Sequence, residues 1–114
     1  MKVEVRKDTA GVAIIAVEGE VDMHSSPNVR DTLVPYFKKD MLGIIIDLSG
    51  VTYMDSSGIA TMIEGLQWSK SVGKRFILAG LTPKVMDVFV LTNLKEVFEF
   101  SDDSQAAFDD LAGT

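Results

Sequence analysis

One run of seven residues limits the folds open to this chain: Gly43-Ile44-Ile45-Ile46-Asp47-Leu48-Ser49. Branched side chains favour a strand over a helix. A strand apolar on both sides must be covered on both faces, which is the place of a central strand in a layered α/β fold. The flanking sequence supplies the layers. Lys2 to Arg6 alternates and reads as a strand, "KDTAG" as a turn around Gly11, and Val12 to Gly19 as a second, antiparallel strand. Glu20 to Asp22 leads out of it. "SSPNVRDTLVPYFKK" reads as a helix through Lys39, with Ser26 as N-cap, Pro27 at the first helical position, and Val29, Leu33 and Phe37 as the buried face. Pro35 costs a helix interior roughly 3 kcal/mol and orphans the Asp31 carbonyl, so a kink or a broken last turn is expected there.

Beyond the central run the period turns helical from Ser57 to Val72, with Ile59, Met62, Ile63 and Leu66 on one face and Gly73 as the stop. "KRFILAG" reads as a fourth strand. Thr82 and Pro83 open a third helix, "EVFEF" alternates as an edge strand, and "DDSQAAFDDLA" closes as a short acidic helix, read as a solvated face. The order β-β-α-β-α-β-α-β-α predicts an α/β fold: a mixed, mostly parallel sheet of about five strands with four helices packed on it. A length of 114 residues suits a single domain spanning 1–114.

Composition removes several function classes. The chain has no cysteine and one histidine, His24, so thiolate chemistry and a histidine-rich metal site are excluded; a carboxylate-only site is not. A net charge of −6 argues against nucleic-acid or anionic-membrane binding and suits a basic protein partner. No apolar run approaches the ~18 residues of a membrane span. "MKVEVRKD" is unlike a signal peptide, and the expected location is the cytoplasm. No cofactor is expected. Enzyme motifs are missing too: there is no phosphate loop, no G-x-G-x-x-G and no G-x-S-x-G elbow. A Ser-His-Asp triad would have to use His24, and nothing else supports one. Asp47 resembles a phospho-acceptor at a strand end, but no adjacent acidic pair follows the first strand to hold magnesium.

What remains is Asp55-Ser56-Ser57-Gly58, at the joint between the central strand and the next helix. Aspartate and serine start helices because their oxygens accept first-turn N–H groups. Two features go beyond capping. Asp55 can cap alone, so both serines are not needed. Gly58 lies inside the first turn, where glycine costs up to ~1 kcal/mol relative to alanine; its missing side chain is expected to leave the surface open to an approaching protein. The residues alone do not choose between Ser56 and Ser57.

The stretch "IIIDLSGVTYMDSSGIA", following "GEVD" by some twenty residues, closely resembles the STAS domains of bacterial anti-sigma factor antagonists. The resemblance runs over nearly the whole chain, through "VEGEVDMHSS", "GKRFILAGLTPKVMDVFVLTNL" and the acidic ending. It implies a regulatory binding module and not an enzyme. The serine after the aspartate, Ser56 here, would be phosphorylated by an anti-sigma factor with serine-kinase activity. The unphosphorylated form would bind that factor and free the sigma factor; phosphorylation would block binding, and a metal-dependent serine phosphatase would reverse it. Asp22, of "GEVD", is implied to lie near Ser56. One departure is Ala60, where many relatives carry glycine. A second reading is a stand-alone STAS accessory subunit of a membrane transporter complex, such as a lipid-transport ATPase.

The surface expected around Ser56 takes in Asp22, His24, Asp55, Ser57 and Gly58 and, along the helix, Thr61, Glu64 and Trp68. His24 reads more readily as a plain surface residue. Trp68 falls opposite Ile59, so it either folds sideways against a neighbouring element or stands exposed as a contact. A phosphate on Ser56 adds about −1.5 to −2 charges, so the expected switch is one of surface charge with little backbone change. A monomer or a weak homodimer is expected, since an edge strand permits pairing.

Overall fold

The computed structural model describes residues 1–37 and 40–113. Five strands, β1 (Lys2–Thr9), β2 (Val12–Val21), β3 (Gly43–Met54), β4 (Arg75–Ala79) and β5 (Glu99–Ser101), form one sheet in the order β1-β2-β3-β4-β5. β1 and β2 are antiparallel; every later pair is parallel. The hairpin turn is only Ala10-Gly11, both at positive φ (55° and 76°), the two-residue geometry that matches strand twist. Four helices connect or close the sheet: α1 (Ser26–Leu33), α2 (Ser56–Ser71), α3 (Pro83–Leu91) and α4 (Ser104–Leu111).

The isoleucine run behaves as a doubly covered strand should. Ile44, Ile46 and Leu48 face Val29 and Leu33 of α1, Ile59, Met62 and Leu66 of α2, and Val85 and Phe89 of α3. Ile45 points to the other face and meets Ala107 and Leu111 of α4, with Val12, Ile14 and Ile77. Three helices thus cover one face, and α4 covers part of the back. Arg75 ties α4 to the sheet edge by bonding both Glu99 and Asp110. Beyond α4 the back face is ionic: Arg6, at a bulge in β1, reaches Asp47 on β3 at 3.4 Å, and Asp47 is only 6% exposed. Asp47 thus lies inside β3, not at a strand end as the sequence reading has it, and is held by an arginine.

Pro35 breaks α1 where expected: the α-helix stops at Leu33 and one 3₁₀ turn, Val34–Phe37, follows. Lys38 and Lys39 lie outside the described residues. Several boundaries differ from the sequence reading: β1 runs on to Thr9, β2 to Val21 and β3 to Met54, and α2 starts at Ser56 instead of Ser57. Ser26 is not the cap: it is the first helical residue and buried, and its N–H bonds the Asp22 carbonyl at 2.8 Å. The last strand is shorter than "EVFEF", because Leu94 and Val97 close a turn and only Glu99–Ser101 pair with β4. Phe98 serves the core instead, edge-on to Phe89 at 5.3 Å.

Candidate functional site

The carboxyl ends of β2 and β3 lie side by side, Val21 paired with Met54. The next residues of each strand are Asp22 and Asp55, so strand register alone brings the two aspartates to one edge. The Asp55 N–H donates to the Val21 carbonyl at 3.2 Å, which fixes the start of α2 against the end of β2. Asp55 is the N-cap: its Oδ1 accepts from the N–H of Ser57 (2.9 Å) and of Gly58 (3.3 Å). Ser56 is the first helical residue and exposed, and among the described residues its hydroxyl has no hydrogen-bond partner. Ser57 is half-buried beside it.

Gly58 does the opposite of what the sequence suggested. It is buried, and a Cβ there would meet Met54 Cγ at 2.6 Å, Val21 Cγ1 at 3.0 Å and the Val21 carbonyl oxygen at 3.1 Å. The glycine lets α2 press onto the two strand ends; it opens no surface.

Asp22 builds the loop on the other side. Its Oδ1 accepts from the backbone N–H of His24 (2.9 Å) and Ser25 (3.0 Å) and from the Ser25 hydroxyl. Ser25 Oγ also accepts from the Asp22 N–H, and its single hydrogen is shared between Asp22 Oδ1 at 3.2 Å and the nearer Glu20 carbonyl at 2.7 Å. Those donors, Ser25 first and then His24, hold the Asp22 carboxyl below its ordinary value of 3.8. The folded pKa is depressed, so the contribution is full above that value and is lost as pH falls through the folded pKa. Sequence reading misses Ser25, whose only signal is the pair Ser25-Ser26; it occupies the N-cap position of α1 but its hydroxyl makes no capping bond and serves the loop instead. His24 itself is exposed.

The other expected contacts are spread along α2. Thr61 is buried, its hydroxyl donating to the Ser57 carbonyl at 3.0 Å. Glu64 is paired with Arg30 of α1 at 3.3 Å. Both line a groove of about 540 Å³ between α1 and α2 that opens beside Ser57. Trp68 sits twelve residues beyond Ser56, ~18 Å along the helix. It is half-buried and packs edge-on against Phe37 (5.3 Å, 67°), so the sideways reading holds and the exposed one does not. Among the described residues no cluster of His, Asp or Glu is arranged to hold a metal ion.

The STAS domain model matches residues 2–107. The chain belongs to the STAS domain family. Among relatives of this STAS domain is the anti-sigma-B factor antagonist of Bacillus subtilis, 30% identical over 91 residues, 80% of this chain and 83% of that protein. The anti-sigma-B factor antagonist of Listeria monocytogenes is 27% identical over 99 residues, 87% of each. The fold matches the anti-sigma factor antagonist SpoIIAA in its unphosphorylated form (TM-score 0.78, 22% identity, 99% of this chain and 100% of that one). It also matches the Bacillus cell fate determinant SpoIIAA in its phosphorylated form (TM-score 0.75, 22% identity, 96% and 99%).

Proposed function

We propose that this STAS domain, acting as one unit over residues 1–114, is an anti-sigma factor antagonist switched by phosphorylation of Ser56, and not an enzyme. The observation that carries the choice of residue is the Ser56 hydroxyl: exposed and unbonded at the first turn of α2, between two aspartates whose own oxygens are engaged by backbone. The partner is an anti-sigma factor with serine-kinase activity. Ser56 Oγ attacks the γ-phosphorus of ATP, the bond to ADP breaks, and the hydroxyl proton passes to a base of the partner. A metal-dependent serine phosphatase reverses the step with water. ATP and both partners place the chain in the cytoplasm; among the described residues no helix is long and apolar enough to cross a membrane.

The cap explains why the phosphate would act outward. Asp55 already takes the N–H groups of Ser57 and Gly58, which leaves the Ser56 N–H as the nearest donor in the first turn. The new charge therefore stays at the surface beside two carboxylates. Two unit charges ~6 Å apart at an effective dielectric of ~20 interact by roughly 3 kcal/mol; half of that against a partner carboxylate is about tenfold in affinity.

The test is incubation with magnesium-ATP and the anti-sigma factor kinase of the source organism, followed by mass spectrometry of the tryptic peptides. One phosphate on Ser56, abolished in Ser56→Ala, is the expected result. Phosphate on Ser57 overturns the residue assignment, and no phosphate overturns the switch. Isolation of a transporter ATPase as the stable partner would favour the accessory-subunit reading.

A further inference from the structure

We propose that Met23 and Tyr53 form a two-point apolar anchor that seats the kinase partner over Ser56; the proposal rests on the phosphoacceptor reading above. β4 pairs with β3 only from Gly43 to Asp47, while β2 continues alongside β3 to Met54. The ends of β2 and β3 therefore extend past the pairing with β4 as a two-stranded projection, and α2 with Ser56 begins at its tip. Val21, Val51 and Met54 are spent on the core. Tyr53, paired in register with Glu20, is 42% exposed, and Met23, directly after Asp22, is 67% exposed. Neither belongs to the core clusters, so folding gains little from their apolar character.

Phosphoryl transfer requires the Ser56 oxygen within ~3–3.5 Å of the γ-phosphorus. A cleft that excludes water must then close over the residues flanking that hydroxyl. Met23 follows Asp22 at the end of β2, and Tyr53 lies three residues before Ser56 near the end of β3. The carboxylates there, Glu20, Asp22 and Asp55, outnumber the one imidazole, His24, and they select a basic rim by charge. Tyrosine offers a rigid contact and methionine an adaptable one. The occupant is accordingly the mouth of the kinase cleft, basic at its rim with apolar ground on both sides of the ATP site.

The experiment measures phosphorylation of Ser56 by the source organism's anti-sigma factor kinase with magnesium-ATP. The substrates are the wild type, Met23→Gln, Tyr53→Thr, the double variant, and Leu91→Gln as a control. Leu91 is 82% exposed at the far end of α3. We expect KM for the protein substrate to rise about tenfold in the double variant, with kcat within about twofold, the melting temperature unchanged and Leu91→Gln behaving as wild type. An unchanged KM in the double variant overturns the anchor. So does an equal rise in Leu91→Gln, and so does a lowered melting temperature, which would place the two side chains in the fold. If the wild type takes no phosphate on Ser56, the phosphoacceptor reading itself falls; if it does and the double variant matches it, only the anchor falls.

Discussion

At Gly58 two residue-scale forces oppose each other. Alanine would gain up to ~1 kcal/mol of helix propensity. Its Cβ would meet a flexible Met54 side chain, which can turn aside, but also the Val21 carbonyl oxygen at 3.1 Å, which is backbone inside a paired strand. The steric term wins, because forcing an extra carbon into a packed site costs typically ~1–3 kcal/mol. Gly58→Ala should lower stability by about 1–2 kcal/mol in urea denaturation. An alanine variant as stable as wild type would show that α2 can lift off the strand ends without loss. The residue type was legible in the sequence as an anomaly, a glycine in a helix's first turn. Its reason was not, because Val21 lies 37 positions away in sequence and becomes a neighbour only through strand pairing. The Asp22–Ser25 loop failed to show for a similar cause: Ser25 and Ser26 are equally good capping types, and only the bonds of the Ser25 hydroxyl to Asp22 and the Glu20 carbonyl separate them.

At the scale of elements, local chemistry predicted every element and some of the boundaries, while Asp103 as a cap and the longer strands emerge only in the structure. Thr82 and Asp103 cap α3 and α4 through their own side chains, and Asp55 caps α2. Pro35 stops α1, and Gly73, at φ +70°, follows the end of α2. The last strand was overextended because alternation in "EVFEF" also fits a turn that feeds two phenylalanines to one core; periodicity does not separate the two. Helix α2 carries its own prediction. Ser56 is its first residue, where a negative charge meets the positive end of the helix dipole, while Asp55 next to it repels. The two contributions are similar in size, so Ser56→Glu should change stability by less than about 1 kcal/mol and leave the backbone amide spectrum unchanged outside residues 20–26 and 52–60. Shifts spread through β4 or α3 would contradict a surface switch.

Over the whole molecule the two faces of the sheet are held differently. One is sealed by three helices and aromatic packing; the other combines α4 with an ionic cover centred on Arg6. Asp47 is buried, bonded to the Ser49 N–H at 2.9 Å and facing Arg6. Removing one partner of such a pair costs more than the pair itself contributes, because it strands a charge away from water. Arg6→Met should cost about 2 kcal/mol in chemical denaturation, less than for a fully buried pair because Arg6 is half-exposed. Adding Asp47→Asn should recover most of it. Loss without recovery would assign the effect to lost packing of the Arg6 stem and not to the charge pair.

The strand order has a consequence for how the chain is made. Each strand pairs with the one synthesised just before it, so the sheet can grow in step with the ribosome and no strand waits for a distant partner. Only α4 comes after every strand, and it covers Val12, Ile14, Ile45 and Ile77. Until those last helical residues emerge, the nascent sheet carries a bare oily stripe along its back. The interval just before completion of the fourth helix is when a half-made copy is most exposed to sticking to its neighbours.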